Sequence, residues 1–360
     1  MSKSPVIKEA DKSSGFSLLK SFLFISIGII IGLGISFFAQ KQENTEQLNT
    51  YKAPEKKSIK NLLNPDVLDQ HAPYSHLVLN DFSAKLEKKI NSMVKQEKIK
   101  SASVYFRDFS TDFSFGVNET EIFSPASLMK VPIMIAILKY AEEHPEILSY
   151  TKTYEGRREG EYLAKEFTNF PSETFMIEGE TYSVNRLLEF MITSSDNEAT
   201  ILLLDVLDGE DPKFLDKVQL DLGLTLPKNL KHNDNFLSGL KYSSFFRTLY
   251  NASYLNNEMS SKALNYLSKT GYGFGIKQSV PQNIVLCHKF GYQIENSNNF
   301  QLHHFAIVYH PRKTYLIGVM TKGNYVEELK KAITDLAQIC YSEVDQQTQN
   351  ELQGLPKDLE

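Results

Sequence analysis

The order of strand-like and helix-like segments is the feature that most limits what this chain can fold into. Two strands come early, a helix-rich block follows, and three strands and a final helix close the pattern. The predicted helices are residues 81–97, 127–142, 184–193, 198–207 and 326–339, and the predicted strands are residues 103–106, 113–117, 284–289, 304–309 and 315–321. This order predicts an α+β fold, in which an antiparallel sheet is flanked by helices and a separate lobe is all-helical.

Length and composition describe an ordinary globular protein and exclude one class of partner. The chain has 360 residues, of which 41% are hydrophobic and 23% are charged, the proportions of a soluble protein with an adequate core. Its net charge is −5, and no cluster of Lys and Arg with interleaved aromatic residues stands out. A nucleic acid is therefore not an expected partner.

The two cysteines do not have the spacing of a metal site. Cys287 precedes Lys289 by two residues in a predicted strand, so their side chains share a face, whereas Cys340 ends the C-terminal helix. We expect both cysteines to be unpaired, and we expect neither a metal nor another cofactor.

An uninterrupted apolar run at residues 21–39 predicts a single membrane-spanning helix ahead of the folded domain. The run carries no charge and is about long enough to cross a bilayer. Lysines precede it, so the positive-inside bias places residues 1–20 in the cytoplasm and everything after the run outside. A cleaved signal peptide is the alternative, but the run is long and Phe37-Phe38-Ala39 lacks the small-x-small cleavage pattern.

Composition divides the rest of the chain into three parts. Residues 40–75 are polar with little periodicity, as in a flexible linker, and residues 343–360 form a similar polar tail. Residues 76–342 lie between them and form one domain. The oligomeric state stays open at this point.

Three short motifs, in one order, indicate a serine acyl-transfer site. The first, Ser127-Leu128-Met129-Lys130, opens the strongest predicted helix and places Lys130 one turn after Ser127 on the same face. A serine hydroxyl becomes a good nucleophile when a neighbouring base takes its proton, and burial beside positive charge helps an amine to do so. The helix N-terminus also aims the Ser127 N–H at an oxyanion. The alternative is a capping serine beside a solvated lysine.

The second motif, Ser195-Asp196-Asn197, lies between two predicted apolar helices. From that base Ser195 would relay a proton to the leaving nitrogen, and Asn197 would hold the substrate amide and Lys130. A cluster of N-cap residues is the alternative, since Ser, Asp and Asn are all preferred caps. The two interpretations agree if Asp196 does the capping.

The third motif, Lys289-Phe290-Gly291, lies on the first predicted strand after the helical block. Lys289 would add a positive field near the attacked carbonyl and the substrate carboxylate. Gly291 would let the substrate lie against the strand backbone. The N–H of Tyr292 would be the second oxyanion donor.

The segments around these motifs, residues 123–132, 192–197 and 286–289, resemble the catalytic domain of class A β-lactamases, within the superfamily that includes penicillin-binding proteins. The resemblance covers about residues 81–341. It implies a bacterial envelope enzyme that acts on a β-lactam or a cell-wall peptide. It also implies that Ser127 is acylated, that Lys130 is its base or relay, and that Lys289 binds a carboxylate. Proton transfer and substrate binding would fall to Ser195 and Asn197.

Two departures separate this chain from that family pattern. Phe290 stands where the family has Thr or Ser, so a hydroxyl that would bind the β-lactam carboxylate is replaced by a ring. The family also carries a Glu-x-x-Leu-Asn loop whose Glu activates the deacylating water, and residues 222–238 contain no Glu. Only His232 and Asp234 could replace it there. The sequence therefore favours acylation over turnover. A penicillin-binding protein or D,D-peptidase, and a catalytically weak binding module, are the alternatives to a β-lactamase-like hydrolase.

Overall fold

The computed structural model describes residues 61–64, 79–156, 176–228, 234–296 and 298–354. The predicted membrane anchor at residues 21–39 and the predicted cytoplasmic tail lie outside these ranges. Within them, no helix combines the length and the apolar character needed to cross a bilayer.

An antiparallel sheet of five strands is the centre of the described domain, as the sequence predicts. The strands in the described ranges are β1 (Ser101–Asp108), β2 (Ser114–Val117), β3 (Ile122–Phe123), β4 (Thr151–Thr153), β5 (Thr181–Ser183), β6 (Leu237–Ser238), β7 (Val285–Asn296), β8 (Asn299–Tyr309) and β9 (Thr314–Gly323). The central sheet has the order β2–β1–β9–β8–β7, and β3–β6 and β4–β5 are separate small pairs. Strand β7 therefore forms one edge of the central sheet.

Helices cover both faces of the central sheet. They are α1 (Leu79–Lys95), α2 (Lys130–Ala141), α3 (Val184–Thr193), α4 (Asn197–Glu210), α5 (Phe214–Asp221), α6 (Gly239–Tyr250), α7 (Asn257–Ser268) and α8 (Val326–Gly354). Strand side chains alternate between the faces, so each face has its own apolar cluster. The outer face packs on α1 and α8, with Phe82 and Leu336 in its core. The lobe face packs on the helices from α2 to α7, with Met134 and Phe305 in its core. The predicted α+β fold with a helical lobe is confirmed.

Helix α2 lies at the centre of the lobe because its sequence is apolar all round. Almost all of its residues are buried, which is the behaviour expected of a helix without a polar face. Cys287 belongs to the lobe cluster and Cys340 to the outer cluster, so the sheet separates the two thiols. They form no disulfide, as the sequence predicts.

Several elements extend further than their sequence patterns. Strand β7 continues past the predicted end at residue 289 because it pairs with β8 along a long hairpin. The polar side chain of Glu295, near the end of β7, accepts a hydrogen bond from Gln301 on β8. Helix α8 continues past residue 339 into the predicted tail at residues 343–360, with Val344 buried. Arg312 also donates to Thr348 O there at 3.3 Å.

Residues 61–64 belong to the packed domain, although the sequence places them in a flexible linker. Leu63 is buried, and Asn64 N–H donates to Tyr250 O at 2.8 Å. The Tyr309 hydroxyl donates to Leu62 O at 2.5 Å. This part of the linker prediction is wrong. A single buried leucine within a polar stretch gives no hydrophobic pattern, and the hydrogen bonds that hold the segment are made by backbone groups, which the sequence does not reveal.

Candidate active site

Ser127 lies in a tight turn between the short strand β3 and the buried helix α2. The turn is a 3₁₀ segment over Ala126–Met129, in place of the continuous helix predicted from residue 127. Ala126 has a φ of 49°, in the left-handed region, which costs a non-glycine residue about 1 kcal/mol. Leu128 N–H closes the turn by donating to Pro125 O at 3.0 Å. Ser127 is thereby held half-buried at the head of a helix.

Two side chains of β8 hold the backbone just before this turn. Gln301 Oε1 accepts from Ser124 N–H at 3.0 Å, and His303 Nε2 lies 2.9 Å from Ser124 O. His303 Nδ1 accepts from Thr321 N–H at 3.3 Å, so Nε2 carries the hydrogen and donates to Ser124. Both side chains are fully buried. The strand thus fixes both backbone groups of Ser124, three residues before Ser127.

Lys130 lies one turn after Ser127 and is buried, as the first motif predicts for an active-site amine. Its Nζ lies 3.2 Å from Ser127 Oγ. The same Nζ lies 2.5 Å from Ser195 O, 3.3 Å from Ser195 Oγ and 2.5 Å from Asn197 Oδ1. One amine position therefore joins the first motif to the second, and the solvated-lysine interpretation is wrong.

The second motif forms the connection between helices α3 and α4. Asp196 caps α4, since its Oδ1 accepts from Ala199 N–H at 2.8 Å. Ser195 is buried and has a φ of 55°, again in the left-handed region. This backbone conformation sends the side chains of the motif in different directions. Asp196 turns towards helix α4, while Ser195 and Asn197 reach Lys130.

Lys289 completes the cluster from the sheet. Its side chain is 0% exposed, and its Nζ donates to Ser195 Oγ at 2.8 Å and to Phe290 O at 3.0 Å. Two buried amines therefore lie on either side of the Ser195 hydroxyl. The structure brings together Ser127, Lys130, Ser195, Asn197 and Lys289, which is the convergence that the three motifs predict.

Phe290 is packed inside the protein and does not line an open site. Its ring is 4% exposed and contacts Tyr272 at 4.4 Å and Phe274 at 5.2 Å between ring centroids. Lys289 Nζ lies 4.6 Å from the centroid of the Phe290 ring. The Tyr272 hydroxyl donates to Ser194 O at 2.7 Å, which ties this aromatic group to the second motif.

The open edge of β7 supports the predicted placement of Tyr292. Thr270 Oγ1 donates to His288 O at 3.0 Å, and Lys289 Nζ donates to Phe290 O, so the carbonyls of residues 288 and 290 point away from β8. Backbone groups of alternate residues in a strand point the same way. The N–H of Tyr292 is therefore directed to the edge that faces the turn at Ala126–Met129. Its role as an oxyanion donor remains a prediction.

Gly291 lies directly beneath the turn at Ala126–Met129. A Cβ built on it would lie 2.6 Å from Pro125 O and 3.1 Å from Leu128 N. The glycine therefore lets the turn approach the strand closely, a packing reason that adds to the predicted contact with substrate.

We expect Gly291→Ala to impair acylation because the added methyl group must push the turn at Ala126–Met129, which carries Ser127, away from the strand. Such overpacking costs about 1–3 kcal/mol in unfolding free energy. Gly209→Ala is the matched control, since a Cβ at this helical glycine meets nothing within 4 Å and alanine favours helix by up to about 1 kcal/mol. Thermal unfolding and acylation rates of both variants test this. An acylation rate in Gly291→Ala equal to that of the control would contradict it.

Two buried histidines of β8 are held neutral on opposite faces of the sheet. Burial lowers the pKa of His303 to about 3. Burial, aided by the Lys289 ammonium, also lowers the pKa of His304 to about 3. His304 Nδ1 accepts from Ile276 N–H at 3.3 Å, so its Nε2 donates to His288 Nδ1 at 2.9 Å. Each ring therefore acts as a fixed donor–acceptor bridge.

These pKa values predict a loss of stability in mild acid. In the unfolded chain a histidine binds a proton below about pH 6.5, whereas in the folded chain these two do not until about pH 3. Their stabilising contribution is complete above pH 6.5 and falls as the pH drops towards 3. Between pH 6 and pH 5 the unfolding free energy should fall by about 2 kcal/mol for the pair.

Urea denaturation across this pH range measures the effect. His303→Gln keeps a donor for Ser124 but cannot titrate, so about half of the acid loss should disappear in that variant. Identical pH dependence in the variant and the parent would refute the assignment to His303.

Sequence reasoning missed the residues that reach the site across the sheet. Gln301 and His303 alternate on β8, so both face the lobe. A polar pair at inward positions of an apolar strand is a usable signal, since buried polar groups almost always find partners.

Of the two predicted substitutes for a deacylating base, Asp234 is described and half-buried, and His232 lies outside the described residues.

Comparisons with solved structures agree with the fold described above. PBP-A matches with a TM-score of 0.60 at 18% identity, covering 77% of this chain and 100% of that one. A class A β-lactamase representative from Bacteroides cellulosilyticus matches with a TM-score of 0.61 at 17% identity, covering 74% of this chain and 99% of that one. A β-lactamase from Chitinophaga pinensis matches with a TM-score of 0.60 at 15% identity, covering 72% and 99%. At these identities the likeness concerns the fold.

Sequence comparison extends the match from fold to family. No curated protein sequence matches the chain. The model of the β-lactamase enzyme family, however, matches residues 85–344, a span that contains all three motifs. The chain therefore belongs to the β-lactamase enzyme family.

Proposed function

We propose that this chain is a serine hydrolase that attacks an amide or β-lactam carbonyl and forms an acyl-enzyme on Ser127. The position of one buried amine carries the proposal: Lys130 Nζ lies 3.2 Å from Ser127 Oγ and 3.3 Å from Ser195 Oγ. A group within reach of both hydroxyls can take a proton from the first and return it through the second.

Hydrogen bonding around Lys130 suits a proton acceptor. Ser195 O and Asn197 Oδ1 each lie 2.5 Å from Nζ, and both oxygens can only accept. A neutral amine has two N–H groups and one lone pair. With both N–H groups donated to these oxygens, the lone pair is left for a hydroxyl within reach, Ser127 Oγ at 3.2 Å or Ser195 Oγ at 3.3 Å.

Acylation then proceeds with every proton accounted for. The Ser127 proton moves to Lys130 Nζ as Oγ bonds to the carbonyl carbon, and the π electrons move to the carbonyl oxygen. The N–H groups of Ser127 and Tyr292 receive this oxyanion. When the carbonyl re-forms, the C–N bond breaks and the leaving nitrogen takes the Ser195 proton. Lys130 replaces that proton, so the products are an ester on Ser127 and an amine, which leaves from an amide and stays attached in the opened ring of a lactam.

Release of the acyl group is the slower step in this proposal. Hydrolysis needs a base that activates water, and residues 222–238 contain no Glu. We expect the acyl-enzyme to persist longer than in an efficient β-lactamase. This observation favours a second candidate function, that of a penicillin-binding protein or D,D-peptidase.

The proposed location is the outer side of a bacterial cytoplasmic membrane. The apolar run at residues 21–39 supports it, because an anchor there would hold the domain beside the cell wall. Protease treatment of intact spheroplasts tests it. Digestion of the catalytic domain is expected, and full protection would argue against this orientation.

Incubation of the full chain with β-lactams, followed by intact mass spectrometry and peptide mapping, tests the function. Rapid turnover supports the hydrolase, and a stable adduct on Ser127 supports the second candidate. The absence of any adduct and of turnover would leave only a binding module and would overturn the proposal.

A further inference from the structure

We infer that Tyr272 is a positioning residue for the proposed reaction, because its hydroxyl holds Ser195 in the backbone conformation that places Ser195 Oγ between the two lysines of the site. The inference rests on the proposed acyl-transfer function, since it concerns the group that returns a proton to the leaving nitrogen. Tyr272 lies outside all three sequence motifs and acts on the reaction through Ser195.

Ser195 has a backbone conformation that is unfavourable for a serine. It follows Ser194, the residue that caps the C-terminus of helix α3, and its φ is 55°. Many helices end with a residue in this left-handed region, but that residue is usually glycine, because a side chain there costs about 1 kcal/mol. The proposed mechanism needs the hydroxyl of a serine at this position. The surrounding structure must therefore hold the Ser195 backbone in place.

The peptide unit between Ser194 and Ser195 controls this conformation. Rotation of that unit changes ψ of Ser194 and φ of Ser195 together. On either side of it, the N–H groups of Ser194 and Asp196 donate to Phe190 O at 3.1 Å and 3.3 Å, so the end of α3 holds the two neighbouring units. Ser194 O belongs to the unit between them and accepts from the Tyr272 hydroxyl at 2.7 Å. Tyr272 therefore restrains the rotation that would relax Ser195.

The orientation of this peptide unit sets three distances at the centre of the site. Ser195 Oγ lies 2.8 Å from Lys289 Nζ and 3.3 Å from Lys130 Nζ. Ser195 O lies 2.5 Å from Lys130 Nζ. A change in φ of Ser195 would move both oxygens relative to the two amines. Proton transfer needs hydrogen-bond distances, so such a movement would slow the return of the proton to the leaving nitrogen.

Tyr272 is itself held against the third motif. It lies half-buried in the loop between α7 and β7, and its ring packs edge-on against Phe290 at 4.4 Å between centroids. Phe290 directly follows Lys289 on β7. At the start of the loop, Thr270 Oγ1 donates to His288 O at 3.0 Å. The Tyr272 ring therefore contacts β7 while its hydroxyl contacts the end of α3, which fixes the second motif relative to the third.

Saturation kinetics of acylation by benzylpenicillin, followed by intact mass spectrometry of the full chain, test the inference in Tyr272→Phe. This change removes the hydroxyl and keeps the ring against Phe290. We expect the limiting acylation rate to fall about tenfold or more, because a small misplacement of a reacting group has an effect of this size. The half-saturating concentration should change by less than about threefold, since Tyr272 acts on the chemical step and not on binding.

Tyr266→Phe is the matched control. The Tyr266 hydroxyl donates to Asn185 Oδ1 at 2.7 Å, so this variant also removes a tyrosine hydroxyl that contacts helix α3, at the end away from Ser195. Its limiting rate should stay within about threefold of the parent. Loss of folded protein would lower the extent of labelling in either variant but would leave the rate of the folded fraction unchanged.

Three results would overturn the inference while an adduct on Ser127 of the parent leaves the acyl-transfer function standing. The first is a limiting rate in Tyr272→Phe within about threefold of the parent. The second is an equal fall in Tyr272→Phe and Tyr266→Phe. The third is an effect confined to the half-saturating concentration, which would make Tyr272 a substrate-binding residue. No adduct on Ser127 of the parent would overturn the proposed function, and the inference with it.

Discussion

Ser127→Ala should abolish covalent labelling of the chain by β-lactams, with a loss of about a thousandfold or more in acylation rate. The hydroxyl oxygen of Ser127 is the protein atom that becomes bonded to the acyl group in the proposed reaction. Stability should change by no more than about 1 kcal/mol, because Ser127 is half-buried at a turn whose hydrogen bonds come from the backbone. Intact mass spectrometry after timed incubation gives both the extent and the rate of labelling.

Ser103→Ala provides the matched control for this result. Ser103 lies on β1, is buried, and has an Oγ without a hydrogen-bond partner among the described residues. Its removal makes the same chemical change away from the site and should leave labelling at the parental level. If Ser127→Ala still gained the acyl mass, another residue would be the nucleophile.

The sequence was sufficient for the parts of the site that depend on local spacing. A serine and a lysine one turn apart at the start of a helix must share a face, and they lie within 3.2 Å. Asp196 occupies the cap position that its residue type favours. The antiparallel sheet follows from hydrophobic alternation and from the order of the elements.

Contacts between segments that are distant in the sequence could not be predicted from local spacing. The sequence indicates that Phe290 replaces a hydroxyl, but only the fold shows that Tyr272 and Phe274 enclose its ring and that the ring lies against Lys289. The support that Gln301 gives to Ser124 joins residues that are 177 positions apart. Hydrogen bonds of this range depend on strand register, which hydrophobic alternation constrains only to within two residues.

Lys130→Met should reduce acylation by about a hundredfold to ten-thousandfold, the range expected when a general base is removed. Methionine keeps most of the side-chain volume but cannot take the Ser127 proton or donate to the second motif. Ser195 O and Asn197 Oδ1 would each lose a donor at 2.5 Å, and an unsatisfied buried acceptor costs about 1–3 kcal/mol. The unfolding free energy should therefore fall along with the rate.

Kinetics across pH separate the chemical role of Lys130 from a purely structural one. If Lys130 is the base, Lys130→Met loses the pH dependence that acylation of the parent shows. Lys139→Met is the matched control on the same helix, because Lys139 pairs with Glu142 at 2.7 Å and donates to Tyr254 O at the far end of α2. It should keep both the parental rate and the parental pH profile. A rate in Lys130→Met within tenfold of the parent, with the pH profile preserved, would assign the Ser127 proton to another acceptor.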